Sequence, residues 1–289
     1  DKAVLNSILG GVFIREDFEK GNRYLNLSLK YSLKLVDYPA DKLVPMVKSG
    51  KTSQQYFDNN LYDLLARRAI RLWGENRWGA QRERVERSIQ ETYQSLLDIY
   101  KVRGMRSAWL LTALDAYPQA SEKQLREWMK EFGDLEVCAG VYLRLATILK
   151  WEDRLVESLS TLREGIGRYP HYEGVNFLKN MEQEILKPGL SLSVTYVYPG
   201  KPMDVKVNHR NLKGFSIALY RINLPAESAL LSEVDLENIK RFGTFLRREH
   251  FEVPPTPDYR ERTDTVQMTI DEAGIYYLVT EPDGYPKVR

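Results

Sequence analysis

Lys187-Pro188-Gly189-Leu190-Ser191-Leu192-Ser193-Val194-Thr195-Tyr196-Val197-Tyr198 is the stretch at which this sequence changes its grammar. Leu190, Leu192, Val194, Tyr196 and Tyr198 alternate with Ser191, Ser193, Thr195 and Val197. That is period two over nine residues, the pattern of a half-buried strand. Pro188 cannot continue a helix, and Gly189 relaxes the backbone at the switch. Everything before this point reads with helical period, and everything after it reads as short strands and tight turns.

Downstream, Pro199-Gly200-Lys201-Pro202 reads as a turn, and Met203, Val205 and Val207 alternate with Asp204, Lys206 and Asn208 as a second strand. Asn211-Leu212-Lys213-Gly214 turns into a third strand at Phe215–Ile222. Residues 228–242 have the composition of an inserted helix. Strands resume at Thr244–Val253, then Arg262–Ile270 and Ile275–Thr280, with the loop Pro254-Pro255-Thr256-Pro257 between the first two. Short strands without helical crossovers predict an antiparallel β-sandwich over residues 188–289.

Upstream, Leu61, Leu64, Leu65, Ala69 and Leu72 fall on one helix face, as do Ile89, Tyr93, Leu96, Leu97 and Tyr100. Leu25, Leu29, Leu33 and Val36 form another stripe. Ser121 followed by Gln124 is a capping box that opens a helix with Leu125, Trp128 and Met129 inward. Tyr38-Pro39, Tyr117-Pro118 and Tyr169-Pro170 each close a helical stretch. Tyr142, Leu145, Ala146, Leu149, Ser158, Leu162, Gly165 and Pro170 have the spacing of a tetratricopeptide (TPR) repeat, with small residues where paired helices approach. The half-pattern Leu110, Ala113, Pro118 lies off any regular period. Residues 1–187 therefore read as an all-helical domain, either a degenerate TPR-like array of helical pairs or an irregular bundle.

The totals restrict function. The protein has 289 residues and net charge +2, with 13 Lys+Arg against 14 Asp+Glu in residues 188–289 and 29 against 26 before them. Neither part has the cationic excess of a nucleic-acid binder. No apolar run approaches the ~18 residues that a membrane span needs. The single cysteine, Cys138, excludes an intrachain disulfide and leaves a thiolate zinc site without partners. The sequence opens at Asp1 rather than at Met and has no signal-peptide pattern, so it reads as trimmed.

Several stretches resemble the amino-terminal region of the large alpha-2-macroglobulin-like proteins of Bacteroides-type bacteria. Val47-Lys-Ser-Gly50-Lys-Thr-Ser53 resembles a segment that precedes a helix there. Asn60-Leu-Tyr-Asp-Leu-Leu-Ala-Arg-Arg-Ala-Ile70 resembles that helix, without the Pro-Thr that introduces it in the family. Tyr198-Pro-Gly-Lys-Pro202 with Val205-Lys-Val-Asn-His-Arg-Asn211 is similar to the opening of a macroglobulin domain. Ala218-Leu-Tyr-Arg-Ile222 and Ala273-Gly-Ile-Tyr-Tyr-Leu278 are similar to its third and last strands. The resemblance implies a helical region feeding into the first macroglobulin/Ig-like sandwich of an envelope protein, periplasmic or anchored in the outer membrane as a lipoprotein. It implies protease trapping or inhibition by the whole protein, with downstream macroglobulin domains and proteases as partners. The family's reactive Cys-Gly-Glu-Gln is not in this sequence, since Cys138 sits in Glu136-Val-Cys-Ala-Gly140. The alternative is a stand-alone helical-repeat module that binds a peptide or glycan, with the sandwich as spacer.

No catalytic, cofactor-binding or metal-binding residue is nominated, and the sequence reads as that of a non-enzyme. His171, His209 and His250 lie apart, without a His or Cys partner nearby in sequence. Gly165-Ile-Gly167 ends a helix and opens no phosphate site, and no Gly-x-Ser-x-Gly elbow occurs. Glu182 and Glu184 lie among Lys and Gln, as on a solvated face. Arg67, Arg68, Arg71, Arg77, Arg82, Arg84 and Arg87 occur with Trp73 and Trp78, a composition that can stack on single-stranded nucleic acid. Glu75, Glu83 and Glu86 dilute it, Glu83 pairs with Arg87 at helical spacing, and the two tryptophans read as plugs between helix hairpins. Asp63 is expected to bridge Arg67 one turn on, and Thr195–Tyr198 to pack against the helices.

Overall fold

The computed structural model describes residues 2–33, 61–194, 198–222 and 243–284. Tyr38-Pro39, Val47–Ser53, Thr195–Val197 and the inserted helix expected at 228–242 lie outside the described residues. The protein divides into two compact units, Asp1–Gly140 and Val141–Arg289. The change from helix to strand at Lys187–Gly189 falls inside the second of them.

In the first unit the described helices are α1 (Lys2–Phe13), α2 (Phe18–Leu33), α3 (Leu61–Glu75), α4 (Arg82–Val102), α5 (Arg106–Ala116) and α6 (Glu122–Glu131). One core joins α1 to α4 through Ala3, Leu25, Leu29, Tyr62, Leu65, Ala69, Trp73, Val85, Leu96 and Tyr100. The face of α3 is rotated from the expected one. Leu64 is 57% exposed, while Tyr62, Ala66 and Trp73 are buried with Leu65, Ala69 and Leu72. A leucine-only stripe misplaces this face, because the tyrosine and tryptophan bury far more area than the leucine they displace. Leu33 is likewise exposed.

Helix ends follow local chemistry. Ser121 Oγ accepts from Gln124 N at the start of α6, the forward half of the expected box. After α4, Gly104 stands at φ +66, Gly104 N donates to Lys101 O and Met105 N donates to Tyr100 O. Those two bonds satisfy carbonyls that the helix leaves open, and glycine takes the left-handed turn without a Cβ penalty. Tyr117 caps α5 just ahead of Pro118, as the Tyr-Pro pattern predicts. Trp109 stacks on Phe132 at 5.3 Å and meets Trp128 edge-on at 6.0 Å, tying α5 to α6.

Among its described residues the second unit holds α7 (Ala139–Trp151), α8 (Leu155–Arg168) and α9 (Val175–Leu186), followed by six strands. Tyr142, Leu145, Ala146 and Leu149 of α7 are fully buried, as are Ser158 and Leu162 of α8. Ser158 Oγ donates to Ala146 O at 2.7 Å, so α7 and α8 touch at the small residues. Tyr169 caps α8 before Pro170.

The strands are β1 (Gly189–Val194), β2 (Pro202–Arg210), β3 (Gly214–Ile222), β4 (Gly243–Glu252), β5 (Arg262–Thr269) and β6 (Ile275–Pro282). They form two antiparallel three-stranded sheets, in the orders β1-β2-β5 and β4-β3-β6. Alternation on β2 is clean: Met203, Val205, Val207 and His209 are buried and the residues between them are not. One core draws on both sheets, with Met203, Val205, Val207 and Met268 from the first and Phe215, Ile217 and Leu219 from the second. β1 contributes only Leu190 and Leu192 to it, whereas Val194 is exposed.

Candidate functional site

Among the described residues, the three non-glycine residues with positive φ are Asp153 (φ 59), Asn211 (φ 57) and Tyr259 (φ 61). All three stand where the helices of the second unit meet its strands. Asp and Asn enter this region readily because their short side chains bond locally, whereas tyrosine does so at a cost. Strain of this kind persists only where neighbouring bonds over-determine it.

Those bonds are present. Asn211 follows the last residue of β2, and its Nδ2 donates to Ile185 O at 2.8 Å and to Lys187 O at 3.2 Å. Its backbone N donates to Thr256 Oγ1 at 2.9 Å. One asparagine thus satisfies two carbonyls that the end of α9 leaves open, and holds the 253–256 loop as well. Arg210 adds a bond to Glu184 O. On the other side, Asp153 follows α7 in the left-handed turn that ends it, with Arg154 N donating to Leu149 O at 2.8 Å. Arg260, beside Tyr259, donates to Asp153 O at 2.7 Å and bridges its carboxylate at 2.7 Å. Helix ends and strand connections are therefore clamped at two separate points.

A second polar cluster lies in the first unit. Arg67 Nε donates to Asp63 Oδ1 at 2.9 Å, the pair expected one helical turn apart. Arg67 Nη2 reaches Thr112 Oγ1 at 3.0 Å and Tyr100 Oη at 3.3 Å, and Tyr100 Oη donates to Asp63. Burial, and then the bond to Asp63, push the Tyr100 phenol up to about 12. The cluster ties α3, α4 and α5 together, and each charge in it has a partner. Burial also raises the Tyr142 phenol in the second unit, where its Oη donates to Glu164 and accepts from Arg168 at 2.7 Å.

The residues weighed in the sequence fall in different places. His209 is fully buried, with Nε2 2.8 Å from Asp264 Oδ2 on the neighbouring strand and Nδ1 without a hydrogen-bond partner. His250 Nε2 lies 2.8 Å from Asp283 Oδ2 at the surface of the other sheet, and His171 is exposed in a turn. Among the described residues no three His, Cys, Asp or Glu converge on a metal position. Cys138 is buried. Gly165 and Gly167 both belong to the last turn of α8. Glu182 pairs with Arg163 at 2.8 Å and Glu184 with Lys150 at 2.6 Å.

The arginine and tryptophan stretch is not one surface. Trp73 is fully buried, and its Nε1 donates to Asn22 Oδ1 at 3.1 Å. Trp78 is 75% exposed, which corrects its reading as a plug. It stands in the connection before α4, where no described helix covers it. Tyr198 is also exposed and lies beyond the end of β1, so it does not pack as expected. The junction residues Asn211, Asp153 and Arg260 were missed in the sequence. Their signal was present in part, since Asn before a turn tolerates positive φ, but their partners lie 24 to 107 residues away.

No protein-family model, no curated protein and no solved structure matches this sequence. No helix among the described residues is long and apolar enough to cross a membrane.

Proposed function

We propose that this polypeptide is a non-enzymatic structural and interaction portion of a large alpha-2-macroglobulin-like envelope protein. In this reading the helices form TPR-like pairs, and the two small sheets are the faces of a macroglobulin-type β-sandwich. The observation that carries it is the clamped junction of the second unit. Two residues in the left-handed region, Asn211 and Asp153, lock helix ends to strand connections through backbone carbonyls. A joint of that kind transmits position without doing chemistry, which is what a supporting segment ahead of further β-domains requires. The helix-to-strand order and the quoted motifs on β2, β3 and β6 support the same reading.

The whole protein would then trap or inhibit proteases in the periplasm or at the outer membrane. Its immediate partners would be downstream macroglobulin domains of the same polypeptide. The test is to mix the intact protein with a general endoprotease and to follow cleavage of a large protein substrate and of a small chromogenic peptide. Trapping slows the first and spares the second. Equal cleavage of both substrates with and without the protein sinks the trapping role. Tight binding of a peptide or glycan by the 289-residue polypeptide alone would favour a stand-alone recognition module instead.

A further inference from the structure

Helix α1 is apolar on both sides. Ala3, Ser7 and Gly10 are buried, and on the opposite side Leu5, Ile8 and Val12 are 57%, 51% and 57% exposed. Their spacing of three and four residues makes one stripe along the helix. From Ala3 to Ile14 the sequence has no charged residue. A helix that is apolar all round belongs in a core or against lipid, yet this stripe stays exposed.

Helix α3 widens the stripe into a face. A Cβ built on Gly11 would stand 2.7 Å from Arg68 Nη2 and 3.7 Å from Leu72 Cδ1. Arg15 Nη2 meets Glu75 Oε2 at 3.2 Å. The two contacts advance together along both helices, so α1 and α3 run side by side in the same direction. Leu64, one turn before Arg68, is then level with Ile8 and is itself 57% exposed.

The charges beside this face are mostly positive. α1 and α3 carry Lys2, Arg67, Arg68 and Arg71 against Asp63 and Glu75. Asp63 is held by Arg67, and Glu75 by Arg15 and Arg71. Lys2 and Arg68 form no ion pair among the described residues, and Arg68 Nε is buried without a hydrogen-bond partner. An arginine held in this way keeps its outer N–H groups for an anion.

We propose that the α1–α3 face of the first unit rests on an anionic lipid surface, with Leu5, Ile8, Val12 and Leu64 at the acyl boundary and Lys2 and Arg68 among the headgroup phosphates. Shape and area favour lipid over a protein partner. The stripe points directly away from the residues that α1 buries, so it is a ridge, and a ridge meets a plane without a complementary groove. Four aliphatic side chains, each about half exposed, fall well short of the ~800 Å² per partner of a standard protein interface, a second copy included. A lipid surface sets no such minimum, since affinity accumulates from apolar area and phosphate attraction together. At 12 residues α1 is about 18 Å long, so it lies along the interface instead of crossing it. The inference rests on α1 and α3 alone and is independent of the envelope-protein reading.

Flotation of the full 289-residue polypeptide with two kinds of vesicle tests it, one of phosphatidylcholine and one of equal parts phosphatidylcholine and phosphatidylglycerol. Sedimentation velocity in lipid-free buffer runs alongside. Binding to the mixed vesicles is expected to be at least roughly fivefold tighter than to phosphatidylcholine alone, and to weaken with added salt. A triple variant, Leu5→Ser with Ile8→Ser and Val12→Ser, is expected to lose at least roughly tenfold in partition with an unchanged circular dichroism spectrum. Arg68→Gln is expected to lose roughly fivefold on the mixed vesicles and nothing on the neutral ones. Val102→Ser, at an 88% exposed residue closing α4, leaves binding unchanged. Absence of binding to the mixed vesicles overturns the proposal, as does equal binding to both kinds. Binding that the triple variant retains in full overturns it too. Self-association in lipid-free buffer that the triple variant abolishes assigns the stripe to a second copy and likewise overturns it. The unaltered protein and Arg68→Gln decide the matter if the triple variant fails to fold.

Discussion

Gly165 and Gly167 stand two residues apart in one helix and have opposite environments. A Cβ on Gly165 would lie 2.8 Å from Leu178 Cδ2 and 2.9 Å from Tyr142 Cβ, whereas one on Gly167 would meet nothing within 4 Å. Gly165→Ala should therefore destabilise the protein by about 1–3 kcal/mol through overpacking. Gly167→Ala should be neutral or stabilise by up to about 1 kcal/mol, from helix propensity. Urea unfolding of both variants checks the pair, and equal effects would contradict the packing argument. Tyr100 gives a second residue-scale expectation. Tyr100→Phe leaves Asp63 and Arg67 without the phenol and should cost about 1–2 kcal/mol at neutral pH. The phenol titrates near 12 in the folded state against 10.0 unfolded, so the folded state binds the extra proton between those values. Stability should accordingly fall as pH rises from about 10 toward 12, and Tyr100→Phe should lack that component of the slope. Chemical unfolding across that pH range reads the difference. Asp63 with Arg67 was legible in the sequence from its spacing, while Tyr100 and Thr112 joined the cluster only through packing of α3, α4 and α5.

Among the elements, the joint between α9 and β2 hangs on Asn211. Asn211→Gly keeps the positive φ and loses both side-chain bonds to the helix end. Asn211→Ala loses the bonds and strains the backbone as well. Asn211→Ala should cost about 2–3 kcal/mol and Asn211→Gly about 1–2. Both should speed tryptic cleavage after Arg210, with the alanine variant the faster. A wild-type cleavage rate in both variants would show that Asn211 does not secure the joint. The strands themselves were legible element by element, because alternation on β2 and turn residues around β3 and β6 are local signals. Leu64 and Trp78 were misplaced for a related reason. Periodicity reports which residues share a face, but not which neighbouring helix covers that face.

For the molecule as a whole, the compact units and the secondary-structure switch do not coincide. The second unit takes α7, α8 and α9 together with both sheets. A polypeptide of residues 141–289 should therefore fold cooperatively, while one of residues 188–289 should be markedly less stable, having lost the carbonyls that Asn211 and Arg260 bind. Circular dichroism and thermal melts of the two fragments test this. Equal melting temperatures would place the structural boundary at the switch instead. The helix-then-strand order, the antiparallel strands, the Tyr-Pro ends of α5 and α8 and the Asp63–Arg67 pair all follow from the residue string alone, since each depends on residues within a turn or two of one another. That α7 to α9 belong with the sheets and that Asn211 and Asp153 clamp the junction emerged solely from the folded arrangement. Those features depend on which distant carbonyls and faces are left unsatisfied after folding, and no local pattern records that.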